Sequence, residues 1–282
     1  MEFFHDMAGN PFLARGLWAG LLASVACGVV GPYVVTRRLV FLAGAIAHIA
    51  VGGIGAAIFL RHRFPEALGA LEPIHGAALS AVAAAVVLAW VAEKAGDGLD
   101  TLIGALWSVG MAVGILLIKL TPGYHTELMS YLFGNLAFVG PEGITRMLLL
   151  DGVIVVTVLV FHRRFLALCL DAEQARLQGI GVLRTQMVLL VLVALTVIVL
   201  TQVVGLILVI ALLSLPAATS GHLVRRLPAM IVLSIGLCAL LTTVPRILVY
   251  GGRTSPEPAI VLAAGAVYLA VAAIRRRRHP VG

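Results

Sequence analysis

Nine stretches of this chain are long and apolar enough to cross a bilayer, and that leaves little choice of fold. A spanning helix needs about 20 mostly apolar residues to cross a hydrocarbon core of about 30 Å. The runs 13–35, 39–60, 74–92, 99–118, 143–161, 187–204, 206–222, 229–248 and 259–274 meet that requirement. Inside hydrocarbon every backbone N–H and C=O must find a partner within the protein, so only helices or a closed barrel can cross. Barrel strands are short and alternate in polarity, whereas these runs are continuously apolar. The expected fold is an all-α polytopic membrane protein, a bundle of about 8–9 transmembrane helices. The count turns on Gly205, where two runs meet: they are two spans, or one long broken segment plus a half-helix. Only 12% of the residues are charged, against about 25% in a soluble domain. No polar block is large enough for a separate domain, so residues 1–282 are expected to form a single transmembrane domain.

The net charge of +7 does not mark a nucleic-acid binder, because the positive residues cluster at the ends of apolar runs, as topology signals do. Arg37, Arg38, Lys94, Arg163, Arg164, Arg176, Arg184, Arg225, Arg226 and the run Arg275–Arg278 fall on one side. Arg15, Arg61, Arg63, Lys119, Arg146, Arg246 and Arg253 fall on the other. The bias predicts an N-terminus out and a C-terminus in for a multi-pass protein, which is expected in the cell's inner membrane. Glu2 and Asp6 make the N-terminus acidic, so no cleavable signal peptide is expected. Cys27, Cys169 and Cys238 are far apart in sequence and imply neither a disulfide framework nor a thiolate metal site.

Small residues recur at four-residue spacing: Gly20, Ser24 and Gly28; Gly44, His48 and Gly52; Gly104 and Ser108; Gly110 and Gly114. Such stripes let helix backbones approach closely. Pro32, Pro216 and Pro245 each remove a backbone donor, and Leu215-Pro216-Ala217-Ala218-Thr219 reads as a kinked or unwound stretch.

Ionisable groups inside spans are costly and usually functional, at about 2.5–3.5 kcal/mol for a charge at the bilayer centre. His48 lies roughly 14 Å into the second span at 1.5 Å per residue. It is either hydrogen-bonded to a neighbouring helix or a ligand for a transition-metal ion, for which imidazole is well suited. Asp151, in the fifth span, is either a buried carboxylate bonded to another helix or part of a cation relay. Arg246, near the outer end of its span, can snorkel. Glu72 with His75, and His125 with Glu127, are either solvated loop groups or cation collectors. No HExxH pattern and no GxxxxGK[ST] run occur, so no helix-borne zinc hydrolase site is expected and any ATP used is hydrolysed by another chain.

The most polar stretch is the loop at about 163–186. Within it Asp171 and Glu173 place negative charge where a helix begins, and Gly179 stands where a short helix ends. It is either a solvated connector or a surface helix on which a partner docks.

Several runs in order resemble the permease subunit of ABC importers of the zinc, manganese and iron-chelate group. They are Arg37 to His48 (RRLVFLAGAIAH), Asp100 to Gly104 (DTLIG), Tyr131 to Asn135 (YLFGN), the Asp171–Gly179 loop, Val203 to Val209 (VVGLILV) and Leu215 to Thr219 (LPAAT). The resemblance implies a permease without its own ATPase motif. It implies a second permease copy in a homodimer, ATP-binding-cassette ATPase subunits that bind the ATP, and an extracytoplasmic solute-binding protein. The cargo implied is a divalent zinc, manganese or iron ion, or a metal chelate, with no resident cofactor. The resemblance makes the loop a coupling helix, with Asp171, Glu173, Ala175 and Gly179 at the ATPase and Ala175 and Gly179 forming a small-residue docking face. It puts His48 in the metal pathway. The family's second-span motif reads Gly-Asp-Ala-x-Ser/Ala-His; here Ala43 and Gly44 replace the glycine and the aspartate. Either another group such as Asp151 supplies that charge, or selectivity differs. The rival readings are an ion-gradient-driven secondary cation transporter, using His48 and Asp151 as a proton relay, an intramembrane enzyme, and a structural subunit of a larger complex.

Overall fold

The computed structural model describes residues 2–94, 99–122, 134, 139–252 and 255–278. His125, Glu127, Tyr131 to Phe133 and Asn135 lie outside the described residues. Regular structure among the described residues is entirely helical: α1 (Glu2–Gly9), α2 (Pro11–Thr36), α3 (Val40–Arg63), α4 (Pro65–Leu68), α5 (Pro73–Lys94), α6 (Leu99–Lys119), α7 (Pro141–Leu170), α8 (Ala172–Leu177), α9 (Val182–Val204), α10 (Leu206–Leu223), α11 (Leu227–Leu248) and α12 (Pro256–Arg278). Among them, nine are long and apolar enough to cross a membrane. They correspond one for one with the runs read from sequence, mostly extended by a few residues at their ends.

Gly205 settles the uncertain pair. The helical ladder of α9 ends with the Gly205 N–H on the Thr201 carbonyl, and α10 starts with the Val209 N–H on the Gly205 carbonyl. Between these bonds Gly205 sits at φ 86°, ψ 155°, a backbone region essentially closed to residues with a side chain. Gly134 lies so close to the Val204–Gly205 backbone that a Cβ on it would collide there.

The chain falls into two compact units, each assembled from separate segments. One comprises residues 1–37, 131–160 and 199–282; the other comprises 38–130 and 161–198.

In the first unit α2 packs on α10 and α11, and α12 packs on the same two helices. The face of α2 is fully buried at Ala19, Ala23, Ala26, Cys27, Val30, Tyr33 and Val34. Its small-residue stripe does what the spacing predicts: Gly20 lies against Thr242, and a Cβ on Gly28 would stand 2.6 Å from the Ile235 backbone. Ser24 Oγ lies 3.2 Å from Thr242 Oγ1, a hydroxyl pair in which either oxygen can donate. The Leu215–Thr219 stretch is not unwound; it is helical throughout. Pro216 removes the donor that the Leu212 carbonyl would otherwise receive, and the Cys238 thiol donates to that oxygen at 3.5 Å instead. Arg246 does not snorkel. It is 5% exposed, its Nη2 donates to the Leu13 carbonyl at 3.5 Å, and Glu257 supplies a neighbouring negative charge.

In the second unit α3 lies between α5 and α6. Gly52 and Gly55 face the backbone of Gly110 and Gly114, and Gly53 faces Gly76 and Ser80. The Gly104–Ser108 pair departs from its expected role: a Cβ on Gly104 would meet nothing within 4 Å, and Ser108 donates to the Gly104 carbonyl of its own helix.

Overfilling a packed contact costs about 1–3 kcal/mol. Gly28→Val is therefore expected to lower the melting temperature of the detergent-purified chain by several degrees. Gly236→Ala, on the same pair of helices but facing open space, should leave it nearly unchanged.

Candidate functional site

His48 sits on α3 at 8% exposure. Its Nδ1 lies 2.8 Å from the Gly44 carbonyl oxygen, one turn earlier. A carbonyl only accepts, so Nδ1 carries the hydrogen, and in the neutral ring the lone pair is on Nε2. A backbone bond that fixes the tautomer and ring orientation is the usual support of a metal-binding imidazole. One face of the ring is covered by Trp107 of α6, with centroids 4.4 Å apart and planes tilted by 31°.

Trp107 also explains Gly44. A Cβ built on Gly44 would stand 2.6 Å from Trp107 Cζ3 and 2.9 Å from Cη2. The indole occupies the space that an aspartate would need at this position. A cavity of about 350 Å³ opens beside it, lined by Phe41, Ile103, Gly104 and Trp107. Around His48, where the resemblance leads one to expect a carboxylate, this chain has an aromatic wall. Trp107 was missed in sequence because nothing local marks it. The available signal was the pairing of a missing side chain at 44 with one bulky ring on a small-residue helix.

Asp151, on α7, belongs to the other unit. It is 7% exposed, and its Oδ2 is buried with no hydrogen-bond partner among the described residues. An unsatisfied carboxylate oxygen inside a span is costly, and a cation or a proton at Oδ2 removes that cost. Among the described residues no three His, Cys, Asp or Glu side chains come together as a metal-holding group. Glu72 and His75 make a local turn, with the Glu72 N–H donating to His75 Nδ1 at 3.2 Å.

The polar loop folds as a fully capped helix. Asp171 is the N-cap, its Oδ1 accepting from the N–H groups of Glu173 at 2.8 Å and Gln174 at 3.2 Å. At the other end the Ile180 N–H reaches the Ala175 carbonyl and the Gly179 N–H reaches Arg176. This is a Schellman closure, which needs a left-handed residue, and Gly179 supplies it at φ 78°. Glu173 pairs with Arg176 at 3.8 Å. Of the small-residue docking face expected of Ala175 and Gly179, Gly179 is exposed but Ala175 is not. Ala175 is 1% exposed and packs inward on Leu168 and Val182. Its methyl group lets the helix lie close against its own unit. The exposed side instead carries Leu177, at 88% exposure, with Glu173, Gln174 and Arg176.

Gly44→Asp is expected to be destabilising by at least about 1–3 kcal/mol from overpacking, and Gly44→Asp/Trp107→Ala should recover part of that loss. A double-mutant cycle of melting temperatures measures the coupling, which for contacting residues runs to about 0.5–3 kcal/mol.

A protein of Chlamydia trachomatis named "Probable metal transport system membrane protein" is 38% identical over 208 residues, covering 74% of this chain and 70% of that protein. The "Manganese transport system membrane protein MntC" of Halalkalibacterium halodurans is 28% identical over 232 residues, covering 82% and 76%. Among solved structures, "PsaBC from Streptococcus pneumoniae in complex with Fab" superposes with a TM-score of 0.83 at 26% identity, covering 96% of this chain and 94% of that one. The profile described as "ABC 3 transport family" matches residues 9–275. With nine apolar helices among the described residues running through that match, the chain is a multi-pass membrane protein that belongs to the ABC 3 transport family.

Proposed function

We propose that this chain is the membrane-spanning permease of an ATP-binding-cassette importer for a divalent transition-metal ion, working as a pair of copies with its N-terminus outside. The family match over nearly the whole chain carries this reading. The names of the relatives point to a metal as cargo, and manganese is the first candidate. ATP is bound and hydrolysed by partner ATPase subunits, and an extracytoplasmic binding protein delivers the ion.

His48 is the pathway ligand, offering Nε2 with its ring braced by Gly44 and Trp107. Asp151 is a second polar station for the cation. One nitrogen donor per copy binds weakly, which suits a group that must release its ion. The Ala172–Leu177 helix is the coupling element. Asp171 and Gly179 act by shaping its two ends, Ala175 by seating it, and Glu173 and Leu177 by facing the ATPase.

Uptake of manganese, zinc and iron into proteoliposomes holding the chain and its ATPase tests the assignment. ATP-dependent uptake of one of them is expected. Uptake that persists without the ATPase and collapses with a protonophore would instead identify a gradient-driven transporter. His48→Ala should lower metal flux at least about tenfold, the scale seen when metal-site support is removed; unchanged flux would make His48 a packing residue. Leu177→Glu places a charge on an exposed apolar position. It should weaken ATPase association about tenfold or more, as loss of an interface anchor does, while leaving the melting temperature of the isolated chain unchanged.

A further inference from the structure

Beside the capped helix, a cavity of about 490 Å³ is lined by Phe161, Arg164, Gly179, Gly181, Arg184 and Val188, among others. Its two guanidinium groups come from different spans, Arg164 from α7 and Arg184 from the first turn of α9. Both are exposed, and among the described residues neither is paired with a carboxylate. The nearby acids are engaged: Asp171 caps the short helix and Glu173 pairs with Arg176. Arg164 is steered by its own helix, its Cζ standing 5.4 Å from the Phe161 ring centroid. Phe161 in turn stacks on Phe165 at 5.8 Å.

The level of the cavity follows from helix length. The 30 residues of α7 run about 45 Å at 1.5 Å per residue, well beyond a hydrocarbon core of about 30 Å. Arg163 and Arg164 lie in the overhanging end, and Arg184 lies at the end of α9. The cavity therefore opens where spans leave hydrocarbon for the headgroup layer. Glycine keeps it open: a Cβ on Gly179 would meet nothing within 4 Å, and one on Gly181 only the Arg184 stem at 3.8 Å.

We propose that this cavity holds the phosphodiester headgroup of an anionic phospholipid, clamped between Arg164 and Arg184 with its chains along the apolar faces of α7 and α9. Basic pockets between spanning helices at this level are suited to anionic headgroups. A guanidinium fork matches phosphate oxygens in geometry and charge. Inorganic phosphate shares that chemistry but has no chains to lie along Phe161 and Val188, the apolar part of the lining, so the lipid is the favoured source. The site is independent of the cargo, and bound lipid would brace the base of the capped helix.

The test is native mass spectrometry of the full chain released from detergent with phosphatidylglycerol, phosphatidylcholine or inorganic phosphate. The wild type is expected to retain phosphatidylglycerol in preference to phosphatidylcholine. Arg164→Gln and Arg184→Gln should each weaken that retention roughly fivefold, the effect of one basic residue at an anionic surface. Gly181→Ile keeps both charges and fills the space, and should also weaken it. Equal retention of the two lipids by the wild type would overturn the proposal. So would undiminished phosphatidylglycerol retention by the double arginine variant, or displacement of the lipid by equimolar inorganic phosphate.

Discussion

Contact between helix backbones at glycine is the constraint on which both units depend. Lipid tails are as apolar as leucine, so the hydrophobic effect does not hold spanning helices together; close packing must. In one unit α2 meets α11 at Gly20 and Gly28, and in the other α3 meets α6 at Gly52 and Gly55 and α5 at Gly53. These seams fix how far α3 and α6 stand apart. That distance is what allows an indole on α6 to reach a histidine and a glycine on α3.

The environment of His48 shows how packing and chemistry trade against each other at such a seam. With a side chain at position 44, the indole of Trp107 has no room. With glycine there, the ring moves in, covers one face of the imidazole and leaves the carbonyl of residue 44 to orient Nδ1. Glycine at position 44 therefore offers no side-chain oxygen and admits a rigid apolar wall. Asp151 keeps a carboxylate oxygen buried and unsatisfied in the other unit.

Much of this was legible in the sequence, and the failures have physical causes. The spans were legible because hydrocarbon imposes length and composition directly. The capped helix was legible because Asp171 and Gly179 occupy positions whose backbone geometry selects them. The inward turn of Ala175 was not, because a six-residue helix has no apolar stripe long enough to show its buried side; only contact with Leu168 and Val182 defines it. The helical course through Pro216 was hidden for a similar reason, since the thiol that takes the free carbonyl comes from another helix. The burial of Arg246 was not legible either, because its partners, the Leu13 carbonyl and the charge of Glu257, are supplied by segments remote in sequence.

The inward seating of the short helix has a mechanical consequence. Its apolar pin is shared with Leu168 at the end of one span and Val182 at the start of the next, and both of its ends are locked by hydrogen bonds. A load applied at Leu177 therefore cannot be absorbed by slack in a tether. It would pass to two membrane rods at once, in the manner of a crank keyed to its shafts.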